Sequence, residues 1–318
     1  MKRAWLAIVA ALLLPTTGTM QSMNPFEGMK FVASANFEVV RWANSHKNDK
    51  PELERLIQHL AHWMKQGVNE IKDDTHKIVT AYVDAGSIAV LVPYNFPNRD
   101  CGQHSRGGVE GADAYREWTR QLAEGIGPRR AVVVLEPDAL TFSQDSKCSD
   151  NGKEQIALIN AAVGIYKKTS PSAAVYLDIG HSNWLPPDVA ARVLAQAGIA
   201  DARGFSLNVS NFQPLADSIR YGTRILELLE AEHKVSDKGF VIDSSRNGNG
   251  PWKGKDEWCN PPGRALGNPP TARTGIAGLD AVLWIKVPGE SDGECRGGPP
   301  AGEFWPKYAE ELALNAKW

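Results

Sequence analysis

An α/β fold with a parallel sheet, closed into a (β/α) barrel of the TIM type with its active site at the C-terminal strand ends, is what this 318-residue sequence predicts. Short apolar runs bounded by turn residues recur at 29–32, 88–93, 131–135, 174–177, 204–207, 239–242 and 282–285. Continuous apolar character of this kind marks strands buried on both faces, as in a parallel sheet. Between them lie stretches with apolar residues three and four apart, at 51–66, 69–84, 111–124, 154–168, 187–196, 215–233 and 303–316, which read as helices. No G-x-G-x-x-G follows the first run, so the dinucleotide fingerprint of a doubly wound sheet is missing. Acid-bearing motifs instead follow at least five of the runs, where a barrel keeps its chemistry.

Taken in order, the chain opens with basic Met1-Lys2-Arg3 and the uncharged apolar run 4–14, too short for a membrane span of about 20 residues but suited to a secretory signal. The expectation is a leader at 1–22, cut between Thr17 and Met23, and one catalytic domain at 23–318 in an exported protein with no stable membrane anchor. Lys plus Arg number 35 against 37 Asp plus Glu, so no surplus of cations drives nucleic-acid binding. With 42% hydrophobic and 23% charged residues, a disordered or collagen-like chain is excluded. Four cysteines, Cys101, Cys148, Cys259 and Cys295, lie in or beside loop-like segments without a C-x-x-C. In an exported chain they read as two disulfides, with three connectivities open, rather than as a zinc site.

The strand-end motifs are Tyr94-Asn95 with Asp100, Glu136-Pro137-Asp138, Asp178-Ile179-Gly180-His181, the segment 243–249, and the segment 286–292. Acids here, with aromatics nearby and no clustered His or Cys, suit acid–base work on a sugar: one carboxyl protonated at working pH, others ionised. Asp138 follows a buried strand and Pro137, where desolvation and neighbouring carboxylates would raise its pKa; alternatively it is the N-cap of a helix starting at Ala139. Asp100 and Asp292 also suit turns beside Cys101 and Gly293. Ser105 lacks a nucleophile elbow, and His181 has no second ligand at i+3 or i+4, so a serine triad and a metal site are both poorly supported. Asn208-Val209-Ser210 matches a glycosylation sequon, but at a strand end. Ten Trp are present; Trp42, Trp63, Trp184 and Trp258 stand beside polar residues or Gly, where an indole either stacks on a pyranose or fills the core, whereas Trp284 lies within a strand run.

These segments, read together, resemble the family 6 glycoside hydrolases, the cellulase family of endoglucanases and cellobiohydrolases. The matching runs are 94–101, Leu135-Glu136-Pro137-Asp138, 176–184, Asn208-Val209-Ser210-Asn211, 242–251, Trp258-Cys259-Asn260, and 283–293. The resemblance implies a distorted barrel that cuts β-1,4-glucan (cellulose, cello-oligosaccharides) with inversion. It casts Asp138 as general acid, Asp100 as the carboxylate that keeps it protonated, and Asp292 as the proposed base, a base reached through a water chain being the alternative. Ser105 would hold the attacking water, Tyr94 would crowd the distorted sugar, and Asp178 would keep the site organised. Lys286 and Glu290 would bind sugar hydroxyls; His181, Arg246 and Asn208 also match site positions. Trp42, Trp184 and Trp258 fall on sugar platforms, Trp63 less securely. It further implies the pairs Cys101–Cys148 and Cys259–Cys295.

Phe212 stands where many members carry Tyr, and Asn183 replaces a small residue before Trp184. The segments 251–258 and 267–280 are short where cellobiohydrolases carry tunnel-roofing insertions, which points to an open cleft and internal cutting. The expectation is therefore a secreted, monomeric, inverting endo-β-1,4-glucanase without metal or organic cofactor. A processive cellobiohydrolase is the alternative; a binding protein without catalysis is disfavoured because Asp100, Asp138 and Asp292 are all present.

Overall fold

Seven strands, β1 (His62–Met64), β2 (Val90–Pro93), β3 (Ala131–Leu135), β4 (Ala173–Asp178), β5 (Gly204–Leu207), β6 (Gly239–Asp243) and β7 (Leu279–Leu283), form one sheet in sequence order. Every neighbouring pair is parallel. The computed structural model describes residues 24–149 and 152–318; the expected leader at 1–22 lies outside them. The sheet curls until its two ends meet through one parallel bridge, Leu60 with Trp284. The result is a distorted barrel with a short seam.

Alternation along the strands divides the apolar residues. Val90, Val92, Val132, Val134, Tyr176, Val241, Ala281 and Leu283 form one buried cluster, the filling of the barrel. Leu91, Val133, Leu177, Phe205 and Ile242 belong to a second, larger cluster. There they meet the surrounding helices α2 (Ile71–Asp84), α3 (Gly111–Ile126), α5 (Gly152–Thr169), α6 (Pro187–Gln196) and α7 (Leu215–His233). A third cluster joins α1 (Glu38–His46) and α8 (Pro306–Leu314) around Leu60, Trp284 and Val287, outside the seam. Gly204 and Gly239 are paired on β5 and β6, and a Cβ at Gly204 would stand 1.7 Å from the Gly239 carbonyl oxygen. Only glycine fits there.

Three expected elements are corrected. The apolar run 29–32 is no strand: it contributes one bridge, Lys30 with Ser87. The expected helix 51–66 is a 3₁₀ turn at Pro51–Leu56 followed by β1. Leu53, Leu56, Leu60 and Met64 keep helical spacing and are all buried, but the β1 ladder to Leu91, Val92 and Pro93 overrides that local pattern. The last helix starts at Pro306 rather than 303, because Phe304 is engaged in a bridge with Glu290.

Candidate active site

Buried acids at the strand ends fix the loops above them. Glu136, just beyond β3, accepts the Asn95 N–H at 3.0 Å and the Phe96 N–H at 3.1 Å, both from the loop after β2. Asp178, ending β4, accepts the Asp138 N–H at 3.0 Å, the Gly180 N–H at 3.1 Å and the Ser206 hydroxyl at 2.9 Å. Asp243, ending β6, accepts the N–H groups of Ser210, Ser245 and Lys286 at 3.0, 2.9 and 2.9 Å. Each carboxylate thereby ties its own strand end to at least one neighbouring loop. Burial nevertheless dominates their titration, raising Glu136 and Asp178 to about 7 and Asp243 above its ordinary value.

These ties position the acids of the first wall. Asp138 adopts a left-handed backbone, φ 72°, as does Glu136, φ 45°. Such conformations cost roughly 1–3 kcal/mol and persist only where surroundings enforce them. Asp138 stands at the N-cap position of the short helix α4 (Ala139–Phe142), yet its side chain makes no capping hydrogen bond; it faces the cavity instead. Burial first, then the charges of Asp178 and Asp100, raise it well above the carboxylate range. Asp100 accepts the Ser105 N–H at 2.6 Å and is itself raised by burial. Arg99 does not neutralise this wall by an ion pair: its guanidinium donates to the carbonyls of Tyr94 and Ser105 and lies 4.8 Å from the Tyr94 ring centroid. The bridge Cys101–Cys148 anchors the Asp100 loop.

The opposite wall is ionic. Asp292 accepts from the Arg246 guanidinium at 2.8 Å and from the Asn260 N–H at 3.0 Å, and lies 3.6 Å from Lys286 Nζ. Burial would raise Asp292, but Arg246 and Lys286 outweigh it and hold the carboxyl below its ordinary value. Arg246 is fully buried and also donates to the Ser210 carbonyl. Glu290 is raised by burial, against the pull of Lys286 and Lys65. The second bridge, Cys259–Cys295, ties the segment before Asn260 to the one after Asp292. Both cysteine pairs are those the resemblance implied.

A cavity of about 280 Å³ lies between the walls. Tyr94, Asp100, Ser105, Asp138, His181, Trp184, Trp258, Lys286, Glu290 and Asp292 all line it. Asp178, Asn208 and Arg246 do not; they are buried behind the lining and act through it. Asn208 donates its amide to the Asp243 carbonyl at 2.8 Å and accepts the Gln213 N–H at 3.0 Å, so its role here is to shape the loop, and no free amide is left for a glycan. Trp42 lies elsewhere, packed against Phe304 and His46 in the cluster outside the seam. Burial lowers His181 to about 4, so its ring is neutral at working pH, and its Nδ1 accepts the Asn183 N–H.

The cavity also includes residues to which the sequence reading gave no role: Lys65, Gln103, Phe142 and Gln213. Trp63 belongs with it firmly, its Nε1–H donating to the Ile285 carbonyl at 2.9 Å and its ring edge-on to Tyr94. Trp63 lay inside the stretch read as a helix, which concealed its place at a strand end. Among the described residues no group of three or more His, Cys, Asp or Glu is arranged to hold a metal ion, and no helix is long and apolar enough to cross a membrane.

The comparisons agree with this geometry. Residues 27–316 match the family model "Glycosyl hydrolases family 6". Endoglucanase A of Cellulomonas fimi is 43% identical over 284 residues, 87% of this chain and 59% of its own length. Endoglucanase 1 of Streptomyces halstedii is 38% identical over 89% of this chain and 88% of its own. The chain thus spans under two thirds of the first of these relatives. A Mycobacterium tuberculosis endoglucanase, solved with methyl-cellobiosyl-4-deoxy-4-thio-β-D-cellobioside, superposes with a TM-score of 0.85 at 39% identity, covering 92% of this chain and 99% of that one. With the fold, the strand-end acids and the sequence match in agreement, this chain belongs to glycosyl hydrolase family 6.

Proposed function

We propose that this chain is a secreted, inverting endo-β-1,4-glucanase acting on cellulose or a related glucan. The observation that carries the reading is Asp138: a carboxyl facing a cleft walled by Trp63, Trp184 and Trp258, with other acids for its charged neighbours. Such a group keeps its proton to higher pH than an ordinary carboxyl and can donate it to the glycosidic oxygen. The indoles supply apolar faces for the sugar rings, and Lys286 and Glu290 supply hydroxyl partners. The relatives of higher identity are named endoglucanases, whereas a Podospora anserina relative at 30% is named a probable exoglucanase. Of the two short segments, 251–258 lends Pro251, Glu257 and Trp258 to the cavity wall, and 267–280 lends none.

In this mechanism Asp138 protonates the leaving oxygen while water held at Ser105 attacks the anomeric carbon from the other face. The water's proton passes to the Asp100 carboxylate, whose raised pKa makes it a competent acceptor. Asp292 is the weaker candidate for base: Arg246 and Lys286 keep it ionised, but they also lower its affinity for a proton. Its task here is to hold Lys286 and Arg246 in place. The leader expected at 1–22 would direct export and be removed in the course of it.

One time course on carboxymethylcellulose tests the reading. Viscosity should fall early, and proton NMR should show the α-anomer first. An initial β-anomer removes inversion; cellobiose dominating from the start with little loss of viscosity removes the endo mode in favour of a cellobiohydrolase.

A further inference from the structure

Past the Leu60–Trp284 bridge, β1 and the segment after β7 diverge, and the Ile285 carbonyl takes its hydrogen from the Trp63 side chain instead of a strand N–H. A second cavity, of about 220 Å³, occupies this seam. Phe37, Ile78 and Val287 give it apolar walls, and His62 and Gln66 give it polar ones. It shares Trp63, Lys65, Glu290 and Gly302 with the main cleft, so a chain passing over the Trp63 indole leads from one cavity into the other. Gly302, at φ +86°, brings no side chain to that junction; a Cβ there would stand 3.3 Å from Lys65 Nζ.

We propose that the seam cavity is a further sugar subsite, taking one additional glucosyl unit of the glucan beyond the ring that lies on Trp63. The inference rests on the glucanase reading and extends it. At about 220 Å³ the seam cavity is smaller than the main cleft, so the extension is put at a single ring. An apolar wall with a few polar groups is the usual makeup of such a site. Gln66 accepts the Lys65 N–H through its side-chain oxygen at 2.9 Å, which leaves its amide hydrogens for a hydroxyl. Lys65 and Glu290 face each other electrostatically at the entrance and offer a donor and an acceptor to the incoming ring.

The test measures binding by tryptophan fluorescence, using Asp138→Asn protein and cello-oligosaccharides from cellotriose to cellohexaose. Affinity should step up about fivefold, the worth of one or two hydrogen bonds, at the length that first reaches the seam. In Asp138→Asn/Ile78→Trp, which fills the cavity, that step should vanish while shorter oligosaccharides bind as before. Asp138→Asn/Gln66→Ala, a smaller change that spares packing, should reduce it. No step in the Asp138→Asn protein, or an undiminished step in both double variants, overturns the subsite. Hydrolysis by the unaltered protein is followed separately: a length step without hydrolysis supports the subsite and overturns the glucanase reading.

Discussion

On the wall formed after β2, β3 and β4, Asp100, Asp138 and Asp178 are all raised, mainly by burial, and the nearby Arg99 turns its guanidinium to carbonyl groups. Across the cleft, Asp292 is buried as well, yet Arg246 and Lys286 lower it. The same residue type thus serves opposite ends. Desolvation without a paired cation makes a proton reservoir, and desolvation with paired cations makes a fixed charge. A glycoside hydrolase needs both within one cleft: an acid that keeps its proton until the leaving oxygen takes it, and a field that stays constant while positive charge develops on the sugar.

Removing the proton from the first wall should have the largest effect. Asp138→Asn should lower kcat on unactivated glucan by about 10³-fold, within the range for loss of a general acid, with oligosaccharide affinity retained. Reducing-end assays and a binding titration check this together. Asp100→Asn should also act mainly on kcat. The ionic wall should break differently. Arg246→Met leaves Asp292 buried beside Lys286 alone and should cost about 3–5 kcal/mol of stability, measured by urea unfolding. Equal stability losses for Asp100→Asn and Arg246→Met would erase the distinction between the walls.

pH separates the walls more gently. Asp178 is raised to about 7 from 3.8, so the folded state holds a proton that the unfolded chain releases. Its contribution to stability is fully present below about pH 4 and is lost as pH climbs toward 7. Asp178→Asn should therefore flatten the fall in stability over that window, seen in thermal melts at successive pH values. Asp292, lowered, has the opposite sign: its contribution is present above the unfolded carboxylate range and is lost on acidification below it. Asp178→Asn leaving the slope between pH 4 and 7 unchanged would count against burial as the cause.

The barrel and the acids that line its cleft were legible in the sequence because each depends on short-range pattern. Buried strands read as apolar runs, and the motif that follows a strand must lie at its C-terminal end, as Asp138 and Asp178 do. What was illegible depends on pairing across the fold. Leu53 to Met64 carries helical periodicity, and only the ladder to β2 and the bridge to Trp284 draw its second half into a strand. The strand-end position of Trp63, already a candidate platform, was hidden with it. Glu136 and Asp243 could be seen as strand-end acids, but not that Glu136 accepts two backbone N–H groups from the loop after β2, or that Asp243 accepts those of Ser210, Ser245, Ile285 and Lys286, at 2.9–3.3 Å. Trp42 shows the converse limit, since polar neighbours in sequence say nothing about which surface an indole packs on.

That last contrast supplies the smallest expected effect. Trp258 lines the cleft and is 37% exposed, with His104 as its ring neighbour, 5.7 Å away. Its free face can cover one sugar ring, and at about 25 cal/mol per Å² a ring face of some 40 Å² contributes roughly 1 kcal/mol. Trp258→Ala should therefore raise KM for cello-oligosaccharides about fivefold with little change in stability. Trp42 packs against Phe304 and His46 away from the cavity, so Trp42→Ala should do the reverse: some loss of stability from the thinned packing around α1, and KM within twofold of the parent. A KM change at Trp42 as large as that at Trp258 would return it to the sugar path and mean that the bound glucan extends past the seam to the face of α1.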